Sequence, residues 1–127
     1  KGWFVMLLIS LSLFGMTACS DGGANSYEQI TPQEAKTIMD TESEYIIIDA
    51  RTTEEFAEGH IADAILIPEY EIANRAEKEL PDKDALILVY CRSGRRSKIA
   101  SEELVKLGYT NVKEFGGIID WPYEIVK

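Results

Sequence analysis

One cysteine in this chain is surrounded by cations. Residues 89–97 read VYCRSGRRS, and Arg92, Arg95, Arg96 and Lys98 all lie within seven residues of Cys91. The whole chain carries 13 Lys and Arg against 22 Asp and Glu, a formal net charge of −9, so the cluster runs against the overall balance. Like charges set so close together repel unless an anion lies between them. A cysteine sulfur can be that anion: neighbouring arginines favour the ionised, nucleophilic form of a thiol, and no imidazole is required.

The backbone around Cys91 suits the same chemistry. Ala85–Tyr90, ALILVY, predicts a buried strand that delivers Cys91 at its carboxyl end. From about Arg96 to Leu107 a helix is predicted, with Ile99, Ala100, Leu104 and Leu107 on one face and Gly108 as its stop. Between them, Ser93 and Gly94 make a tight turn in which Gly94 supplies a positive φ. Backbone N–H groups of Arg92, Ser93, Gly94, Arg95, Arg96 and Ser97 then face inward as a nest for an anion. The helix that follows aims its positive dipole end at the same point. Cys91 is thus the candidate nucleophile and residues 92–97 the candidate binding loop. The single histidine, His60, reads as a packed, hydrogen-bonded loop residue. Two cysteines and one histidine spaced by tens of residues offer no ligand cluster, so neither a metal nor a cofactor is expected.

The elements that must position this loop alternate. Thr31-Pro32-Gln33-Glu34 is a capping box with proline at the first helical position, which starts a helix to about Asp40. Tyr45–Arg51, YIIIDAR, is a β-branched run suited to a strand buried on both faces, and Thr52 to Glu55 repeats the capping box before Gly59 ends a brief helix. Ala64–Pro68 reads as a short strand, Glu69–Leu80 as a charged helix, Asn111–Phe115 as a last strand and Ile118–Val126 as a last helix disturbed by Pro122. This alternation implies an α/β fold, a parallel sheet with helices on both faces. Ligands collect beyond the carboxyl ends of such strands, where Cys91 is placed.

The first residues belong to another class. Trp3–Ala18 run about 16 residues without a charge, short of the roughly 20 that span a bilayer, which is the pattern of a signal-peptide core. Met16-Thr17-Ala18-Cys19 resembles the lipobox of bacterial lipoproteins. That resemblance implies a signal peptide over 1–18, a lipidated Cys19 with a flexible tether over 19–27, and a folded domain over 28–127, held outside the cytoplasm at a membrane surface by the lipid on Cys19. An uncleaved anchor with an incidental cysteine is the alternative. Loss of residues 1–18 removes only Lys1 among the charges, which leaves 12 basic and 22 acidic residues, a net of −10. Nucleic acid is excluded as a partner, because its phosphates need a broad basic face. A lipidated Cys19 also leaves Cys91 unpaired, a mark of reactivity in an exported protein; a buried structural cysteine is the plainer alternative.

CRSGRRS, with Cys91, Gly94 and Arg96, resembles the loop C-x-x-G-x-R of single-domain rhodaneses, sulfurtransferases that carry sulfur as a cysteine persulfide. IIIDAR, EEFAEGHIADAILIP (Glu54–Pro68) and FGGIIDW (Phe115–Trp121) resemble further signatures of that family, in order. Ala62-Asp63 stand where the family usually has Pro-Gly. The resemblance implies a rhodanese-like fold with a five-stranded parallel sheet. It also implies transfer of sulfane sulfur from a small anion, thiosulfate or a persulfide, through Cys91 to cyanide, a thiol or a protein sulfur acceptor. On the physical reading of the loop, Arg92 and Arg95 rim the pocket and Arg96 braces the loop; by the family pattern Asp49 and Arg51 support the loop and fold, and a solvated pair closing a strand is the plainer reading of those two. Two rivals remain open: a non-catalytic interaction module of the same fold, and a cysteine phosphatase or arsenate reductase. Tyrosine phosphatases separate cysteine from arginine by five residues to seat a tetrahedral oxyanion, and this loop is one shorter.

Overall fold

A computed structural model describes residues 26–127. Residues 1–25, with the expected signal peptide, Cys19 and most of the tether, lie outside the described residues. Both capping boxes form. Thr31 Oγ1 accepts from Glu34 N and Glu34 Oε1 accepts from Thr31 N at the start of α1 (Pro32–Thr41). Thr52 and Glu55 make the same exchange at the start of α2 (Thr53–Glu58). The other helices are α3 (Ile72–Glu79), entered through a 3₁₀ turn over Glu69–Glu71, and α4 (Arg95–Lys106).

Five strands form one parallel sheet: β1 (Glu28–Gln29), β2 (Ile46–Asp49), β3 (Ile65–Leu66), β4 (Ile87–Cys91) and β5 (Val112–Gly117), in the order β1-β5-β4-β2-β3. The chain leaves β2 toward one edge, at β3, and leaves β4 toward the other, at β5. The carboxyl ends of β2 and β4 therefore flank the point where strand order reverses, the place at which open α/β sheets hold ligands. Asp49 and Tyr90 pair there in register.

Side chains along the central strands alternate between two apolar layers. Ile48, Ile87, Val89 and Cys91 pack with Ala76, Ala100 and Leu104 on the α3 and α4 face. Ile47, Leu88 and Tyr90 pack with Ala35, Phe115 and Trp121 on the α1 face. Every residue of β4 is buried, and each large apolar side chain removed from water contributes roughly 1.5–3 kcal/mol. The strand that carries Cys91 is thereby the best-anchored element of the sheet.

Two expectations need correction. β1 was not foreseen: its two exposed residues carry no apolar pattern, and it exists because Glu28 and Gln29 pair with Lys113 and Glu114 at the edge of β5. The last helix does not form. Ile118–Asp120 make one 3₁₀ turn, then Trp121 is extended at φ −83 and ψ 113, because a residue before proline is pushed out of the helical region. The tail returns instead to His60, which exchanges two 2.8 Å backbone hydrogen bonds with Val126. Where the rhodanese pattern has Pro-Gly, Asp63 takes the left-handed conformation itself, at φ 71. Aspartate tolerates that region better than most residues.

Candidate active site

Cys91 ends β4 with its side chain on the α4 face, under the turn formed by Arg92, Ser93 and Gly94. Gly94 caps α4 at φ 112 and ψ −15, a conformation that an L side chain rarely adopts. This geometry turns the Gly94 N–H back onto the cysteine, 3.0 Å from Sγ. As the residue before the first helical turn, Gly94 also leaves the amides of Arg95, Arg96 and Ser97 without acceptors inside the helix. Sγ is thus met from one side by a donor and by the positive end of a 12-residue helix.

The turn is seated on β5. A Cβ placed on Gly117 would stand 2.0 Å from Arg92 O and 2.5 Å from Ser93 Cα, so only glycine allows the loop backbone to lie there. Ile119 N donates to Arg92 O at 3.2 Å and fixes the same carbonyl from the far side.

The sequence-predicted residues divide by position. Arg92, Ser93 and Arg95 are exposed on the outer face of the loop, around Gly94. Arg96 makes a two-pronged pair with Glu55 of α2, at 2.8 and 3.0 Å, which ties the α4 start to the element after β2. Hydrogen bonds from Arg96 hold the Glu55 carboxyl down at about 2, below its ordinary 4.5. Ser97 turns inward and is fully buried, its Oγ 3.4 Å from Sγ.

Asp49 and Arg51 are buried rather than solvated, and they lie on the opposite face of the sheet from Cys91. Asp49 accepts from the Arg51 backbone N and Nε at 2.9 Å, from Arg51 Nη2 at 2.8 Å and from Tyr90 Oη at 2.6 Å. Arg51 Nη2 also donates to Gly59 O at 2.7 Å, and Tyr90 Oη accepts from Ile61 N at 3.1 Å. Burial, and then the charge of Asp49, push the Tyr90 hydroxyl well above its ordinary value. This network clamps the chain after β2 to the loop after α2 and to the end of β4. His60 is held apart, stacked on Phe56 with ring centroids 3.7 Å apart and Nδ1 2.9 Å from Phe56 O.

Cys91 is itself buried, 1% exposed. Its sulfur forms the floor of the loop, where the loop's own backbone covers it. Sequence reasoning missed Glu114, Gly117 and the Glu55 partner of Arg96. A signal for Glu114 existed, because Val112 and Glu114 share one face of a strand and a carboxylate there faces the interior. Glu55 and Arg96 are 41 residues apart, a distance that no local pattern bridges.

The chain matches a family model described as a rhodanese-like domain over residues 31–122. Thiosulfate sulfurtransferase PspE of Escherichia coli K12 is 41% identical over 80 residues, 63% of this chain and 77% of its own length. A sulfurtransferase of Allochromatium vinosum is 42% identical over 85 residues, covering 66% and 77%. Among solved structures, a rhodanese with anions from E. coli superposes with a TM-score of 0.62 at 38% identity, over 65% of this chain and 98% of that one. A rhodanese-related protein from Thermoplasma volcanium gives 0.68 at 32%, over 79% and 98%.

Proposed function

The chain belongs to the rhodanese-like family of sulfurtransferases, and from that premise we propose that Cys91 carries sulfane sulfur as a persulfide, taken from a thiosulfate-type donor. The Cys91 thiolate attacks the outer sulfur of thiosulfate. A new S–S bond forms as the donor S–S bond breaks, and its electron pair leaves with sulfite. Cyanide or a thiol, free or on a protein, then attacks the outer sulfur of Cys91-S-S⁻ and returns the thiolate. The arrangement needs neither metal nor proton donor, because the terminal sulfur is an anion that backbone N–H groups and a helix start can stabilise.

The supporting observation is the Gly94 N–H at 3.0 Å from Sγ, at the mouth of a helix. Exposed Arg92 and Arg95 at the rim attract a divalent oxyanion. Incubation with thiosulfate followed by intact mass spectrometry tests the reading: one added sulfur on the wild-type protein, absent in Cys91→Ser. The burial of Sγ favours a second reading, the non-catalytic interaction module, and a thiol left unmodified by every donor would establish it. Turnover of p-nitrophenyl phosphate without sulfur transfer would instead place the protein among cysteine phosphatases.

For residues 1–27 the reading is a lipoprotein signal, a lipidated Cys19 and a tether, which holds the domain outside the cytoplasm at a membrane. It is supported by the uncharged run and by Met16-Thr17-Ala18-Cys19. Expression of Cys19→Ala in bacteria should abolish processing and membrane attachment, and unchanged fractionation refutes it.

A further inference from the structure

Glu114 is 1% exposed, and sulfur transfer as written above gives it no task. A carboxylate taken out of water costs several kcal/mol unless hydrogen bonds replace its hydration. The donors that reach this one surround the Cys91 loop. Oε2 accepts from the Ser97 hydroxyl and from Gly116 N at 3.0 Å, and Oε1 accepts from Gln29 Nε2 at 3.3 Å. Ser97 in turn touches the nucleophile, its Oγ 3.4 Å from Cys91 Sγ and placed to accept the thiol hydrogen.

A hydroxyl has one hydrogen to give. Gly94 O at 3.1 Å and Gly116 O at 3.4 Å also lie within reach of Ser97 Oγ. The carboxylate is the one charged acceptor, and a charge-assisted bond outcompetes neutral ones. While Glu114 is ionised, Ser97 therefore turns its hydrogen to Glu114 and its lone pairs to the sulfur.

We propose that Glu114 is a positioning residue for the nucleophile: acting through Ser97, it sets which way the hydroxyl beside Cys91 points and so how readily the thiol ionises. The inference rests on the sulfurtransferase reading for its purpose and on the hydrogen-bond chain for its mechanism. While Glu114 Oε2 holds the Ser97 hydrogen, Ser97 Oγ accepts from the thiol and has no hydrogen left for a thiolate. Ionisation of Cys91 sends the proton to solvent, leaves the S–H electron pair on sulfur and sets a second negative charge near the carboxylate. Once Glu114 releases the Ser97 hydrogen, Ser97 donates to the thiolate beside Gly94 N–H.

The charged and titratable groups around this chain are few. Arg96 and Lys98 of α4 flank the loop, the Nζ of Lys98 lying 3.6 Å from where a Cβ on Gly94 would stand. Tyr27, just before β1, feels both Glu102 of α4 and Glu114. From β4 the residue in register with Glu114 is Val89. Among the described residues, Glu114 alone is linked to Cys91 by a single shared hydroxyl.

The 127-residue chain carrying Cys19→Ser, with Cys91 as its sole thiol, is titrated by the ultraviolet absorbance of the thiolate, with Cys91→Ser as the blank. Glu114→Gln removes the charge and weakens the acceptor, which releases the Ser97 hydrogen to sulfur. The thiolate midpoint falls by about one pH unit, tenfold in the equilibrium. In a Ser97→Ala background the same substitution moves the midpoint by less than half as much. No shift, an upward shift, or an equal shift with and without Ser97 overturns the proposal. A second readout does not depend on the variant folding. With Glu114 intact, pH-difference infrared spectra must show a carboxylate stretch that shifts as the thiolate forms and stays fixed in Cys91→Ser; its absence also overturns the proposal. Neither measurement uses a sulfur donor, so failure of persulfide formation and failure of this coupling are separate results.

Discussion

Gly117→Ala adds one methyl group, and the structure says what it would strike. Its Cβ would stand 2.0 Å from Arg92 O, 2.3 Å from Arg92 C and 2.5 Å from Ser93 Cα, whereas ordinary Cβ contact begins at 3.4 Å. The gap between 3.4 and 2.0 Å obliges the loop to retreat by about 1.4 Å. The residue itself is extended, at φ −130 and ψ 157, so alanine brings no backbone strain and the whole effect passes through the contact. Overpacking of this kind costs about 1–3 kcal/mol, or roughly 5–20 °C in Tm for a domain of this size. A misplacement of about 1 Å in a reacting group costs on the order of a hundredfold in rate. Persulfide formation from thiosulfate, timed by quench and mass spectrometry on folded protein, should therefore slow about a hundredfold. Gly116→Ala is the control. Its Cβ meets nothing within 4 Å, but its φ is 92, so it should lose about 1–2 kcal/mol to strain and keep its rate within a few-fold. A folded Gly117→Ala with the wild-type rate, or equal slowing in both variants, refutes the idea that the seat of the loop sets the chemistry.

Two further outcomes follow from the network and from the ion pair. Tyr90→Phe takes a 2.6 Å donor from Asp49 and an acceptor from Ile61 N. It should cost about 1–3 kcal/mol in denaturant unfolding and leave the persulfide rate per folded molecule unchanged, because the phenol and Cys91 face opposite sides of the sheet. A tenfold slower rate at native stability would contradict that division. The depressed Glu55 carboxyl contributes stability that is fully present above its ordinary 4.5 and is lost as pH falls through about 2. With its side chain a quarter exposed, the pair is worth about 1–2 kcal/mol after solvent screening. Glu55→Gln, which keeps the capping box, should be less stable than wild type above the window and equal to it at the bottom; a constant difference across the range is the result that counts against it.

Much of the fold was legible because its signals are local. The two capping boxes, the run of three isoleucines, the buried stretch before Cys91 and the turn at Gly94 each depend on neighbours within four residues, and each forms close to its predicted place. Local signals failed where a partner from elsewhere decides. Glu28 and Gln29 are a strand because β5 offers an open edge. Ser97 and Ser101 join Ala100 and Leu104 on the buried face of α4, a stripe that an apolar count passes over. The tail after Trp121 follows Pro122 and His60 rather than the helical spacing of its apolar residues.

What the chain alone determined is the chemistry on offer: a thiol, a glycine that bends the backbone back toward it, and a helix start beyond, all set within seven consecutive residues. Covalent order is enough for that, since a turn six residues long has few conformations. Tertiary packing decided the surroundings. The parallel pairing of β4 with β5 brought Glu114 and Gly117 beneath a loop that precedes them by some 20 positions, and the reversal of strand order brought Glu55 to Arg96. Long-range contacts of this sort arise only when strands lie side by side, so no reading of neighbouring letters could have assigned them.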